Sequence, residues 1–142
     1  MLPPIARFLG LAGLIPFAGL ALGCWLGWRG APLALAAYGA TILAFLGAVH
    51  WGLGLRAAAT ERSADLARFG LGVVPALIGW VTLLLPIVAG LVVLSGAILA
   101  TAAVEQVGSR GGLVPADYQR LRWLLSAGAG TFLLLGALAL VA

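Results

Sequence analysis

Two ionisable side chains, His50 and Glu105, are the residues of this chain best suited to carry chemistry. His50 is the one histidine, and Glu105 is one of four acidic residues in 142. Both fall near the ends of long apolar segments, where a histidine and a carboxylate in contact could exchange a proton or hold a polar ligand. Ionisable groups at membrane depth are rare and commonly mark functional sites. We therefore predict that His50 and Glu105 meet and form a functional polar pair.

The same two residues also fit a purely structural role. Close to a helix end the cost of polarity falls, so a histidine followed by Trp51 can simply anchor its helix at the lipid headgroups. Metal binding is disfavoured, because Cys24 is expected at the membrane end opposite to His50 and two ligands make no site. Ser95 and Ser126 have no histidine at matching depth, which disfavours nucleophilic catalysis. The sequence thus predicts no metal, no cofactor and no enzymatic activity.

The elements that position these residues are apolar segments bracketed by arginine. Hydrophobic residues make up 63% of the chain and charged residues 8%, whereas soluble domains carry about 25% charged residues. A run of about 20 apolar residues is long enough to span a bilayer. Uncharged stretches of at least this length cover residues 8–27, 31–55, 69–104 and 123–142. The third is too long for one crossing, so we predict that it folds back between Leu85 and Gly90, where Pro86 removes a backbone donor.

We therefore predict an all-α bundle of five transmembrane helices that forms a single domain over residues 1–142. The predicted helices cover residues 6–27, 32–54, 68–86, 90–107 and 117–141. Seven of the eight arginines lie in the N-terminal segment and in two loops on the same side, and only Arg29 lies on the other. Because positive charge is retained in the cytoplasm, this split predicts a cytoplasmic N-terminus and an external C-terminus. A re-entrant hairpin over residues 69–104 would leave that orientation unchanged.

Aromatic, basic and glycine residues predict which helix faces meet lipid and which meet protein. The predicted interfacial anchors are Trp25, Trp28, Arg120, Arg122 and Trp123. The residues predicted to line a cavity or a packed interface are Tyr38, Gly47, Trp51 and Trp80. Glycine inside a membrane helix lets backbones approach closely. Since Gly47 and Gly54 share a face with His50, we predict close helix packing on that face.

Two segments of the chain carry a resemblance to a known family. The matching residues are Tyr38, Gly39, Ala40, Phe45, Leu46, Gly47, His50, Trp51, Gly52 and Leu53, followed by Leu113, Pro115, Tyr118, Arg120, Leu121 and Arg122. With them the chain resembles the bacterial family named domain of unknown function 3429, which is similar to transmembrane protein 69. The resemblance implies a small membrane protein with several helices. It implies no activity or ligand.

Three classes of function fit this sequence. The first is a non-enzymatic accessory or assembly subunit in the bacterial inner membrane, which suits short loops and glycine-rich helices. The second is a small-ligand-binding or proton-coupled carrier protein that uses His50 and Glu105 between its helices. A membrane enzyme ranks third. The predicted partners are the lipid bilayer and either another membrane protein or a second copy of the chain. A nucleic-acid partner is not predicted, because arginines at membrane ends account for the net charge of +4.

Overall fold

The computed structural model of the protein describes residues 1–57, 59–110 and 115–142, apart from the side chains of Glu61, Ala64 and Ser109. Within these ranges the chain is helical, with short connections. In chain order the helices are α1 (Pro4–Ala12), α2 (Leu14–Trp25), α3 (Ala31–Arg56), a short 3-10 helix (Ala59–Ala64), α4 (Asp65–Thr82), α5 (Ile87–Arg110) and α6 (Ala116–Ala139). Taken together, α1 and α2 make one span, and five spans are long and apolar enough to cross a membrane. The predicted five-span helical bundle is thereby confirmed.

The first span differs from the continuous helix predicted over residues 6–27. It breaks at Gly13, between α1 and α2. The cause lies three residues further on, because Pro16 has no N–H to donate to the preceding turn and its ring would clash with that turn. In the first turn of a new helix this loss is harmless, since the N–H groups there have no intrahelical partner. The Tyr38 hydroxyl donates to the Gly13 carbonyl across 2.9 Å and ties the break to α3.

The turn between α4 and α5 comes slightly earlier than predicted. α4 ends at Thr82, and α5 begins at Ile87, immediately after Pro86. Gly90 therefore lies in the first turn of α5, where its N–H donates to the Pro86 carbonyl at 2.9 Å. A Cβ atom at Gly90 would lie 2.6 Å from the Thr82 carbonyl oxygen. Glycine is needed there for the close approach of α5 to the end of α4.

The core lies around α3, which packs against α2, α4, α5 and α6. Its largest fully buried apolar side chains come from four helices: Phe17, Leu35, Leu43, Leu91, Leu94, Ile98 and Leu133. The outward faces are also apolar, as contact with lipid requires. Trp80 belongs to this outer surface, with 61% of its area exposed. Its predicted place in a cavity or packed interface was wrong, because α4 turns Pro75, Gly79 and Thr82 inward instead.

Glycine sets the distance between α3 and α4. A Cβ atom at Gly47 would lie 2.9 Å from the Gly72 carbonyl oxygen, and one at Gly79 would lie 3.0 Å from the Ala40 carbonyl oxygen. The two contacts are seven residues apart on each helix, about two helical turns, as one antiparallel register requires. The predicted close packing at Gly47 is confirmed, and its neighbour is α4.

Candidate functional site: a buried ion-pair centre

His50 and Glu105 are in direct contact, as the sequence predicted. The His50 Nε2 atom lies 2.8 Å from the Glu105 Oε1 atom. Only 2% of His50 and 1% of Glu105 is exposed. Each residue ends the buried stripe of its helix: on α5 the stripe runs through Leu91, Leu94, Ile98 and Ala102 to Glu105 at spacings of three and four, which places all of them on one helix face. The packing of α3 against α5 then brings the two polar ends together.

Arg122 completes the centre from α6. Its Nε atom donates to the Glu105 Oε2 atom at 2.8 Å, and its Nη1 atom donates to the Ser126 hydroxyl at 3.0 Å. With 1% of its area exposed, Arg122 is one of the most buried large side chains. The prediction that it anchors α6 at the headgroups was therefore wrong. It lies on the inward face of α6 with Gln119 and Ser126, whereas its neighbour Arg120 is exposed.

The carboxylate of Glu105 uses both of its oxygens. Oε1 meets His50 and Oε2 meets Arg122. An ionised carboxylate can only accept, so His50 contributes a proton on Nε2 to this hydrogen bond whatever the state of Nδ1. Hydrogen bonds between ionised partners are shorter and stronger than neutral ones. Removing one partner of such a buried pair leaves an uncompensated charge and costs about 3–5 kcal/mol.

Several polar atoms around the centre retain bonding capacity. Within the part of the chain that the structure describes, Arg122 Nη2 and Gln119 Oε1 are buried and have no hydrogen-bond partner. Tyr118 lies near enough to interact electrostatically with both Glu105 and Arg122, and its buried hydroxyl has no partner among the same residues. The amide nitrogen of Gln119, by contrast, has a partner: Nε2 donates to the Ala102 carbonyl of α5 at 3.0 Å. A buried donor without a partner costs about 1–3 kcal/mol.

A cavity of about 120 Å³ lies beside Arg122. Arg122 is the charged residue of its lining; the other lining residues are Leu9, Gly10, Gly13, Leu14, Phe17, Ile42, Phe45, Leu46, Ile98, Leu125 and Ala129. The inner wall is deeply buried, whereas 60% of Leu9 and 65% of Phe45 is exposed. The cavity thus opens at the outer face of the bundle, and its lining, which includes Arg122, is almost entirely apolar.

Among the other residues singled out by the sequence, Tyr38 packs beside the cavity, since it contacts Gly13 and Phe17 of the lining; the tryptophans lie elsewhere. Trp51 donates to the Phe69 carbonyl at 3.2 Å and meets the Phe69 ring edge-on, so its predicted packing role holds between α3 and α4. At the opposite end of the bundle Trp25 donates to the Leu135 carbonyl, and near the ion-pair centre Trp123 donates to Gln106. Trp25, Trp28, Trp123 and Arg120 are all exposed. Their role as interfacial anchors stays a prediction.

Sequence reasoning missed the contribution of α6 to the centre, although a signal was present. Gln119, Arg122 and Ser126 follow one another at spacings of three and four, so they share one face of the helix. The same face continues through Ala129, Leu133 and Ala137, which are all buried. Treating Arg122 only as a charge that orients the protein hid its place on this inward stripe.

Fold and site together define a polytopic helical membrane protein with an ion-pair centre buried at one end of the bundle. Comparison with known proteins places it in a family. Residues 2–138 match the family model described as protein of unknown function (DUF3429), and the chain belongs to that family. It is also similar to transmembrane protein 69 of Xenopus tropicalis, with 40% identity over 87 residues that cover 58% of this chain. The match spans about a third (33%) of that relative's length. No solved structure matches the chain.

Proposed function

We propose that this protein is a non-enzymatic membrane protein that binds a small, lipid-soluble molecule beside its buried ion-pair centre. The observation that carries the proposal is an apolar cavity whose lining includes Arg122, the residue that joins α6 to Glu105 in the buried centre. Largely apolar pockets with a few convergent polar groups are the usual form of small-molecule sites.

The energetics of the centre support this proposal. Replacing a buried ion pair by apolar residues of similar volume is often neutral or even stabilising. The pair formed by Glu105 and Arg122 is therefore a poor device for stability alone. Ionisable groups at membrane depth are expensive and commonly serve ligands or protons, so binding accounts for the centre better than packing does.

The contacts of the two buried serines, Ser95 and Ser126, are consistent with a non-enzymatic role. Ser126 accepts a hydrogen bond from Arg122, and Ser95 donates to the Gly130 carbonyl at 3.0 Å. In these contacts neither serine meets a general base, which a nucleophilic hydroxyl needs.

The proposal also includes a location and an orientation. Because arginine-rich segments are retained in the cytoplasm, we place the protein in the bacterial inner membrane with a cytoplasmic N-terminus and with the ion-pair centre near the cytoplasmic surface.

The accessory-subunit hypothesis makes a different prediction about what accompanies the protein. An assembly subunit should leave the membrane with a protein partner at fixed stoichiometry, whereas a binding protein should leave with a small molecule. A carrier that moves protons through His50 and Glu105 would also bind its cargo. Purification from the native membrane therefore separates the accessory subunit from the binding protein and the carrier.

The test is native mass spectrometry of the protein released gently from its own membrane. We expect a single added mass in the small-molecule range on the wild-type chain. Arg122→Lys should lose most of it, because lysine lacks the planar fork of donors. Arg120→Lys, at an exposed position of the same helix, is the matched control and should keep it. A stoichiometric protein partner without any added small mass would refute the binding role and favour the accessory subunit.

A further inference from the structure

Three buried polar atoms of α6 indicate a polar site between α5 and α6, apart from the apolar cavity. They are the Tyr118 hydroxyl, the Gln119 Oε1 atom and the Arg122 Nη2 atom, and none has a hydrogen-bond partner within residues 1–57, 59–110 and 115–142. Only 3% of Gln119 and 1% of Arg122 is exposed. Buried polar groups nearly always bond to protein or to ordered water. Two acceptors and donors of this kind on neighbouring turns therefore suit a ligand that both donates and accepts.

The hydrogen bonds of Gln119 and Arg122 bring the polar ends of these side chains together. α5 and α6 are consecutive spans that pack against each other and run antiparallel. Along α6, Gln119 lies nearer than Arg122 to the loop that joins the two helices. Along α5, Glu105 lies nearer to that loop than Ala102. Gln119 nevertheless donates to Ala102, at 3.0 Å, and Arg122 donates to Glu105, at 2.8 Å. The two side chains therefore pass each other in the interface.

Two hydrogen bonds fix the direction of the Arg122 guanidinium. Its Nη1 atom donates to Ser126, and its Nε atom donates to Glu105. The guanidinium is planar with a fixed fork of donors, and Nη2 projects from the same edge as the Nε–H. Nη2 therefore lies on the side of Glu105, where the Gln119 amide passes. Gln119 Oε1 accepts and Arg122 Nη2 donates, yet neither bonds to the other, and a bridging water spans such a gap.

Tyr118 lies between this polar site and the surface of the bundle. It precedes Arg122 by four residues and so shares its helix face. It is also close enough to Glu105 and Arg122 to interact electrostatically with both. Tyr118 as a whole is only half-buried, whereas its hydroxyl is fully buried. The exposed part of the residue is therefore at the surface, and its hydroxyl lies inside, on the side of the ion-pair centre.

We propose that Tyr118, Gln119 and Arg122 bind internal water, and that this water links the ion-pair centre to the arginine-rich side of the protein. Water accepts from the Arg122 N–H, donates to Gln119 Oε1 and does either with the Tyr118 hydroxyl; a buried water typically makes about three hydrogen bonds. Through this link the proton on His50 Nε2, which bonds to Glu105, exchanges with solvent. The inference goes beyond the proposed function, because it holds whether or not a molecule occupies the apolar cavity.

The single histidine of the chain provides the probe for this link. Labelling histidine with nitrogen-15 in the full-length protein marks one imidazole, that of His50, and NMR in detergent measures how fast its ring N–H exchanges with water. Tyr118→Phe removes only the hydroxyl and should slow exchange by about tenfold, as the loss of one hydrogen bond implies. Tyr38→Phe, at the other tyrosine, is the matched control. Tyr38 donates to Gly13, so its variant should keep the rate within about twofold, as expected for an independent site.

A second measurement detects the water itself. Magnetisation transfer from water to the side-chain amide of labelled glutamine reports water in contact with that amide. Gln119 should receive such transfer although it is buried. Gln119→Leu removes the polar amide at similar size and should slow His50 exchange as Tyr118→Phe does. Gln106→Leu is its control, because Gln106 bonds to the exposed Trp123. Thermal unfolding shows whether each variant is folded.

The outcomes test the water site and the water link separately. No transfer from water to the Gln119 amide in the wild-type protein would overturn the site. His50 exchange that is unchanged in folded Tyr118→Phe would overturn the link, and this variant decides alone if Gln119→Leu unfolds. Both measurements need no ligand in the cavity, so their failure leaves the proposed function to its own test by native mass spectrometry.

Discussion

At the scale of single residues, burial and hydrogen bonding assign the roles of the few charges. His50 and Glu105 could be paired from the sequence, because two rare ionisable groups at similar depth have few other partners. The place of Arg122 was not predicted, since an arginine near a helix end fits an interfacial anchor equally well. The two roles of Arg122, interfacial anchor and buried ion-pair partner, are distinguished only by which face of α6 turns inward. The contacts of α6 with α5 and α2 set that rotation.

The first prediction concerns the coupling between His50 and Glu105. Glu105→Ala should cost about 3–5 kcal/mol, because it leaves Arg122 as an unpaired buried charge. His50→Ala should cost less, about 1–3 kcal/mol, since it removes one hydrogen bond from a carboxylate that keeps another partner. The double variant should lose less than the sum of both by about 0.5–3 kcal/mol. Unfolding in detergent measures all three. Strictly additive losses would show that the two side chains do not interact in the folded protein.

At the scale of helices, the lengths of the uncharged stretches predicted the number of spans. The exact ends of the helices depend on prolines and glycines near each turn. Pro16 predicts a kink in the first span with a freed carbonyl, and the structure has the interruption three residues earlier, at Gly13, whose carbonyl accepts from Tyr38. The turn before α5 was located only approximately, because Pro86 could end one helix or precede the next. Which helices pack against each other depends on side-chain shape across the bundle. The sequence indicated it only for α3 and α5, through the predicted contact of His50 with Glu105, and predicted close packing at Gly47 without naming the partner helix.

The second prediction concerns that glycine contact. Gly47→Leu should lower the free energy of unfolding by about 1–3 kcal/mol, because its side chain would collide with the backbone of α4 and force the helices apart. Ala48→Leu provides the control, since Ala48 faces outward on the same helix. Thermal stability in detergent, measured for both, decides the question. Equal stability would mean that α3 and α4 do not pack through Gly47.

At the scale of the whole molecule, the asymmetric set of arginines predicts one preferred orientation for the five spans. The ends of α3 and α5 and the beginnings of α4 and α6 lie on the side of the arginine-rich loops. The ion-pair centre lies near that same side, within about two turns of the start of α6. A ligand bound there would be near the cytoplasmic surface if the arginine distribution sets the orientation.

The third prediction tests this orientation. A reporter fused after Ala142 should be external, and one inserted between Glu61 and Asp65 should be cytoplasmic, because arginine-rich loops are retained inside. Paired reporters that are active on opposite sides of the membrane measure both positions. If the two insertions report the same side, five crossings with this orientation are ruled out.

The central claim is that the ion-pair centre serves binding and not stability. The variant that tests it most directly combines His50→Leu, Glu105→Leu and Arg122→Met, which replaces every charge of the centre with an apolar group of comparable size. The measurement is the amount of native small molecule that co-purifies per folded chain. We expect unfolding in detergent within about 1–2 kcal/mol of the wild type, since apolar replacement of a whole buried pair is tolerated, together with loss of the bound molecule. A folded variant that retains the molecule in full would contradict the claim, and so would a variant that unfolds although every charge has been removed.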